Sequence, residues 1–543
     1  MCVWSGCPGS VAHRCWIVRN CDEACHLAES IQNVKRSCFH LMVLVVIVIV
    51  GTGLRLYRLD GASFWLDEGF SVSFARHPSL WTQENHPPLY YAMLAAWSWL
   101  SGSDYWLRLL SVIFGVTTIP VVYVLGRKLF GPVATLWSAA ILAVLSFHVQ
   151  YSQEARMYTL MALLFACGLL ALVGAARENS RKHWIAYIIA STLLAYSHGA
   201  GIIYVMVLAM LFPLCARNPG KAKDWVPWLL SNAMVVVLFL PWLGIYMQRV
   251  QFVVQNFWVP VPGWSDPLLV LRDLTVASIP SLHDMFRSHL GVILPMDLPD
   301  WIWVLPVALV LVWAIIRSAS NKSWEVRTLV AAYVLPILFI FLFSLVVRSI
   351  FLDKVFLPVA VPMVLLVGSV GEHAGKQMAW NRTILILTIM LLLAGTVYSF
   401  RYMQKEAWRA SSQFLQKHVV PGDVIVYKGC PNIGKLLINR YDTESALREA
   451  AQFDFETEVG RCDSHDITDC FDRSIERYKP GTVWIVRSHD HYTSGHRIFS
   501  AWIKQHLNGE TSVSDFFGIQ IERFRLIGPQ GVPVNTPGNS QPQ

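Results

Sequence analysis

Charge is scarce in this chain. Of its 543 residues only 15% are Asp, Glu, Lys or Arg, while 54% are hydrophobic. The mean hydropathy is +0.44. That balance excludes a soluble globular protein and leaves one that crosses a membrane several times. Paired cysteine motifs are lacking too. Six of the eleven cysteines fall at Cys2, Cys7, Cys15, Cys21, Cys25 and Cys38. No CxxC pair accompanies the spacing from Cys21 to Cys25, so zinc is poorly supported. No small-residue cleavage site follows the first apolar run, which argues against a signal peptide. The net charge of +8 does not point to nucleic acid, because multi-span proteins collect Lys and Arg on cytoplasmic loops.

What is present is a series of apolar runs, most of them near the ~20 residues that a span requires. Leu41–Leu54 starts the first. The others are Trp106–Leu125, Val133–Val149, Tyr158–Ala175, Trp184–Ser197, Ile202–Cys215, Trp225–Tyr246, Trp301–Ile316, Leu329–Val347, Val355–Val370 and Ile384–Phe400. That makes about eleven transmembrane helices. Basic residues recur at Arg127-Lys128, Arg177–Lys182, Arg217–Lys223, Arg317–Arg327 and Lys376–Arg382. The positive-inside rule puts these loops in the cytoplasm. Residues 55–105, 150–156, 247–300, 348–354 and all after 401 then lie outside.

The stretch LYYAMLAAWSWL, Leu89–Leu100, is apolar but too short to span. It follows Pro87-Pro88 and reads as a helix lying in the membrane interface. After residue 401 the composition changes. PGDVIVYKG, GTVWIVRSHD and FFGIQIERFRLI read as strands, and AWRASSQFLQKHV as a helix. The expected organisation is a Cys-rich N-terminal extension over 1–40, disordered or ahead of the true start, and a transmembrane domain over 41–400. A small soluble α/β domain follows over 401–527, then a disordered Pro/Gly/Gln tail over 528–543.

Polar chemistry gathers on the outer side of this topology. In SFWLDEGFSVSFAR the adjacent acids Asp67 and Glu68 sit among Phe64, Trp65, Phe70 and Phe74, at a membrane edge. Neighbours on a helix point about 100° apart, so one can face a cavity while the other holds a partner. In ENHPPLYY, Glu84 and His86 precede the interfacial helix that carries Tyr90. A helix N-terminus suits an anionic oxygen, and a nearby His adds a donor. In YSQEARMY, Glu154 and Arg156 are costly at a membrane edge, and Arg suits phosphate. In RSIFLDKVFLP, Arg348 and Lys354 read either as phosphate ligands or as snorkelling anchors. His198 reads as structural. Carboxylates and scattered cations beside a lipid-accessible helix are what a lipid-phosphate sugar donor requires.

The same segments resemble the C-type superfamily of membrane glycosyltransferases, in particular bacterial relatives of protein O-mannosyltransferases and lipid A aminoarabinose transferases. WLDEGFSVSFAR, HPPLYYAMLAAW, WLRLLSVIFGVTTIPVVYVLGRKLFG and YSQEARMYTLMALL follow that pattern in order. DKVFLPVAVP and AWRASSQFLQKHVVPGDVIV are similar to its later segments. The resemblance implies an inverting transfer from a polyprenyl-phosphate sugar to a protein, lipid or polysaccharide acceptor. It makes Asp67 the catalytic base and Glu68 its partner. His86 takes the place of a phosphate-binding lysine, and Lys354 that of an arginine. Glu84 stands near an acid that some relatives use for a divalent metal, with its spacing to Pro87 shifted by one. The expectation is thus an α-helical polytopic plasma-membrane glycosyltransferase with donor-phosphate ligands His86, Arg156 and Lys354. The alternatives are a lipid-linked oligosaccharide ligase and a lipid flippase. Charges clustered at one face, rather than at mid-membrane, speak against the flippase.

Overall fold

The computed structural model describes residues 11–526 apart from 179, 218–219, 258, 277–304, 306, 310, 314, 317–322, 373–376, 403–404, 430–431, 456, 458–481, 489–498, 501 and 505–506. Helix α1, Val11–Leu56, runs unbroken from the Cys-rich segment into the first apolar run. The segment expected as a disordered extension, or one ahead of the true start, is drawn as helix from Val11 onward. A nucleated span lets helix propagate cheaply past its apolar part. Next come α2 (Leu66–Arg76), a single-turn stretch at Pro78–Gln83, and α3 (Leu89–Ser98). Helix α4, Asp104–Leu129, is started by Ser103, whose Oγ accepts the Trp106 amide at 3.3 Å.

The expected span at Val133–Val149 is covered by two helices, α5 (Pro132–Val144) and α6 (Ser146–Ser152), bent by 56°. A break inside a membrane must satisfy its freed carbonyls. Arg55 at the end of α1 does this, donating to the Leu142 and Ala143 carbonyls at 3.2 and 2.9 Å. Thr396 Oγ1 takes the Val144 carbonyl at 2.7 Å. Helices α7 (Tyr158–Glu178), α8 (Arg181–Ser197), α9 (Gly201–Cys215), α10 (Ala222–Asn256) and α11 (Asp266–Val276) follow. Then come α12 (Trp324–Val346), α13 (Ala360–Gly368) and α14 (Gln377–Tyr402).

Among the described residues seven helices are long and apolar enough to cross a membrane, or eight if the bent pair is one span. The expected count of about eleven therefore stands unconfirmed. Helices α8 and α9 have 17 and 15 residues, short of a standard span. Much of the expected span Trp301–Ile316 lies outside the described residues.

The C-terminal part contains α15 (Trp408–His418), α16 (Ile433–Arg440) and a five-stranded sheet. Its strands are β1 (Val424–Lys428), β2 (Ala451–Asp454), β3 (Thr482–Arg487), β4 (Leu507–Phe516) and β5 (Ile519–Leu526), in the order β2-β1-β3-β5-β4. β1 pairs parallel with β2 and β3, while β5 runs antiparallel to both β3 and β4. The central β1, VIVYK, is buried on both faces. Val424 and Val426 pack with Val483, Ile485 and Phe499 on one side. Ile425 and Tyr427 face α16 and join the main core. The segment expected as a disordered tail lies outside the described residues.

Candidate active site

Helix α2 carries the adjacent acids in its first turn, where carboxylates favour the exposed amides. Its inner face is clamped. Glu68 is fully buried and accepts from Arg108 Nε and Nη2 at 2.7 Å each. It also accepts from the Ala155 amide at 2.9 Å, and Lys405 Nζ lies 3.6 Å away. Burial raises the Glu68 carboxyl, but Arg108, Lys405 and the Ala155 amide together carry it down to about 2. Glu68 was expected to share in catalysis. Its side chain is not among those lining the cavity, and it ties α2 to α4 and to the turn before α7.

Asp67 points the other way, into a cavity of about 580 Å³. Its Oδ2 receives Lys354 Nζ at 2.8 Å, and Arg156 Nη2 stands 3.7 Å away. Arg156 also donates from Nη1 to the Asp67 carbonyl at 3.1 Å and to Ser71 Oγ at 3.2 Å. Both cations reach the ring of Tyr158, at 5.7 and 5.8 Å. Two sequence-distant cations thus meet on one carboxylate. The local alternatives, Arg156 with Glu154 and Lys354 with Asp353, are not the side-chain pairings formed. Glu154 is buried against Lys405 at 3.4 Å. Asp353 accepts the Tyr151 hydroxyl at 3.1 Å and the Lys354 backbone amide at 2.7 Å.

Glu84 and His86 line the same cavity. Glu84 accepts the Tyr91 hydroxyl at 3.3 Å. Burial is the main cause that pushes its carboxyl up to about 7; Arg156 and Tyr91 oppose the rise, and Asp67 adds to it. The His86 ring meets that of His198 at a 30° tilt, with centroids 4.2 Å apart. Its Nδ1 accepts the Gly199 amide at 3.4 Å, which leaves Nε2 as the N–H donor, 4.0 Å from Glu84 Oε1. Burial, His198, Arg156 and Lys354 hold His86 well below its ordinary value. In this surrounding it carries no positive charge, and its Nε2–H faces Glu84. His198 is neutral as well, lowered to about 3 by burial and by the same two cations. Gly199 sits in the turn beneath them, where a Cβ would stand 3.3 Å from the Asn85 carbonyl.

Besides Glu68, three further expected site residues do not line the cavity. Tyr90 is fully buried with its hydroxyl 2.9 Å from Ser111 Oγ. Glu154 belongs to the Lys405 cluster. Arg348 donates to the Phe257 carbonyl, beside the cavity wall. The divalent metal considered at Glu84 finds no ligand set, because no three His, Cys, Asp or Glu side chains gather as a metal site among the described residues.

Arg249 of α10 lines the cavity and escaped the sequence reading. It donates to the Gln83 carbonyl at 2.9 Å, and its buried Nε has no hydrogen-bond partner among the described residues. Only its place in a long apolar helix could have drawn attention to it. The cavity lining also includes the apolar side chains of Phe252, Val253, Phe257, Phe343 and Leu352.

Residues 85–245 match the family model described as dolichyl-phosphate-mannose-protein mannosyltransferase. Asp67 lies just before that segment. ArnT from Cupriavidus metallidurans in the apo state superposes with a TM-score of 0.57 at 13% identity, over 90% of this chain and 98% of that one. The same protein bound to undecaprenyl phosphate superposes with a TM-score of 0.53 at 13% identity, over the same shares. AglB from Archaeoglobus fulgidus, with an inhibitory peptide and a dolichol-phosphate, gives 0.48 at 13% identity over 92% and 75%. No curated protein matches by sequence. The chain shares the fold of ArnT and ends in a small five-stranded sheet.

Proposed function

We propose that the protein moves a sugar from a polyprenyl-phosphate donor to an acceptor hydroxyl at the outer face of a plasma membrane, with inversion. The observation that carries this reading is Asp67 held between Lys354 and Arg156 in a cavity whose lining is otherwise largely apolar. The apolar lining suits a hydrocarbon tail, and the cations suit its phosphate. Asp67 takes the acceptor hydroxyl proton. The acceptor oxygen bonds to the anomeric carbon while the bond from that carbon to the phosphate oxygen breaks on the opposite face. Lys354, Arg156 and Arg249 then receive the charge left on the phosphate, with the neutral His86 Nε2–H as a further donor. Donor phosphate competes with Asp67 for the same cations. Its arrival weakens their hold on Asp67 and makes that carboxylate a stronger base.

That ArnT has been seen with undecaprenyl phosphate supports using this lipid as the probe. Asp67→Asn in lipid nanodiscs is expected to keep the melting temperature and undecaprenyl-phosphate binding while losing turnover of undecaprenyl-phosphate mannose by about 10²–10⁴-fold. If mannose is not the sugar carried, the same comparison is made in cells, through the envelope glycan that a deletion strain lacks. Turnover within a few-fold of the parent would remove Asp67 from the chemistry.

A further inference from the structure

The segment that leads from the last membrane helix into the C-terminal domain grips α2 from outside. Glu406 is buried, and its Oε2 accepts the Leu66 amide at 3.0 Å and the Trp408 indole N–H at 2.6 Å. Leu66 is the first residue of α2, and its amide has no partner within that helix. Ser63 Oγ donates to the Glu406 carbonyl at 2.6 Å. The preceding Lys405 stands 3.6 Å from Glu68 and 3.4 Å from Glu154. On the other side, the Ala407 amide donates to the Phe517 carbonyl at 3.0 Å. Gly518, at φ +72°, leaves the room that Glu406 Cγ occupies, since a Cβ there would sit 2.9 Å away.

The carboxylate that caps the Asp67 helix is therefore supplied by a residue 340 positions away, fixed in turn by the β4–β5 hairpin. Trp65, at the N-cap position, has no hydroxyl or carboxylate with which to do this itself. We propose that Glu406 is a positioning residue. It caps α2 from the C-terminal domain and so holds Asp67 in register with the two cations. Burial first, then Asp67 and Glu68, push the Glu406 carboxyl up to about 7. Either protonation state keeps an oxygen that can accept, so the cap does not require the charge.

The proposal rests on Asp67 as the base, and its test separates the two. Glu406→Ala should raise amide hydrogen exchange in the peptide over 64–74 and lower turnover about ten- to a hundredfold, the cost of a small misplacement. Undecaprenyl-phosphate affinity should stay within about threefold, because the cations remain. Glu406→Gln keeps an accepting oxygen and should restore both the exchange protection and the turnover. Unchanged exchange at 64–74 in Glu406→Ala would overturn the proposal, as would a Glu406→Gln variant as impaired as Glu406→Ala. If Asp67→Asn itself retains turnover, the reading of the base fails, and the exchange measurement alone decides the cap.

Discussion

At Asp67 a single carboxylate collects Lys354 and Arg156, which lie 287 and 89 positions away in sequence. If both also serve the donor phosphate, each makes a charge-assisted contact of about 1.5–3 kcal/mol. Arg156→Ala and Lys354→Ala should then each weaken undecaprenyl-phosphate binding about ten- to a hundredfold. The double variant should fall short of the product of the two, because the pair shares one ligand. Titration of the lipid against purified variants measures this. Unchanged affinity in both single variants would leave these residues as partners of Asp67 alone. Glu68 is different in kind. Its buried pairing with Arg108 makes it part of the scaffold, and loss of one partner strands the other.

At the scale of the element, α2 is pressed between α3 and the C-terminal domain. Gly69 makes this approach possible: a Cβ there would stand 2.7 Å from Ile433 Cγ2 and 3.2 Å from the Leu437 methyls. Both neighbours are buried on α16 and have little room to yield. Gly69→Val should cost about 1–3 kcal/mol through overpacking and lower the melting temperature. Gly53→Val, where nothing stands within 4 Å, is the control and should be nearly neutral. Equal melting temperatures for the two variants would show that α2 and α16 do not pack this closely. The bent pair α5 and α6 follows a related logic, with Arg55 reaching across from another helix to take the carbonyls that the break exposes.

At the scale of the molecule, buried acids set the pH profile. Glu84 and Glu406 keep their protons to about pH 7 in the folded protein, chiefly because of burial, against an ordinary value of 4.5. Between those limits the folded state binds more protons than the unfolded one, so stability falls as pH rises. Glu68 works in the opposite sense. Held at about 2, it contributes stability above the ordinary value that is lost as pH falls below it. The neutral His86 and His198 act in the opposite sense below their ordinary value of 6.5, so from pH 5 to 8 the melting temperature of a Glu84→Gln, Glu406→Gln double variant should rise more, or fall less, than that of the parent. Identical slopes would contradict the shifts. The sidedness proposed for the enzyme is tested by labelling intact cells with a membrane-impermeant maleimide. A cysteine at exposed Lys417 should react above the background of native cysteines, and one at exposed Arg181 should not. The reverse pattern would place the cavity on the inner side.

Much of this architecture was legible in the chain itself. Composition alone required a membrane protein. The central strands β1 and β3 carry apolar, β-branched runs, and β5 alternates, so each could be read directly. The edge strands β2 and β4 could not. At the rim of a sheet, AQFD and LNGETSVSDF need no apolar face, and they lack the alternation that marks a strand. Asp67, Glu84, His86, Arg156 and Lys354 stood out as polar groups at a membrane edge, where such residues are costly. Sequence did not say which of the adjacent acids faces the cavity, because helix phase is set by packing against α3, α4 and α16. Nor did it reveal Arg249, Lys405 or Glu406, whose partners lie hundreds of positions away. Patterns along a chain report burial and period, which are local. The identity of a carboxylate's partner depends on which elements the fold brings within about 3 Å of it, and only the tertiary structure decides that.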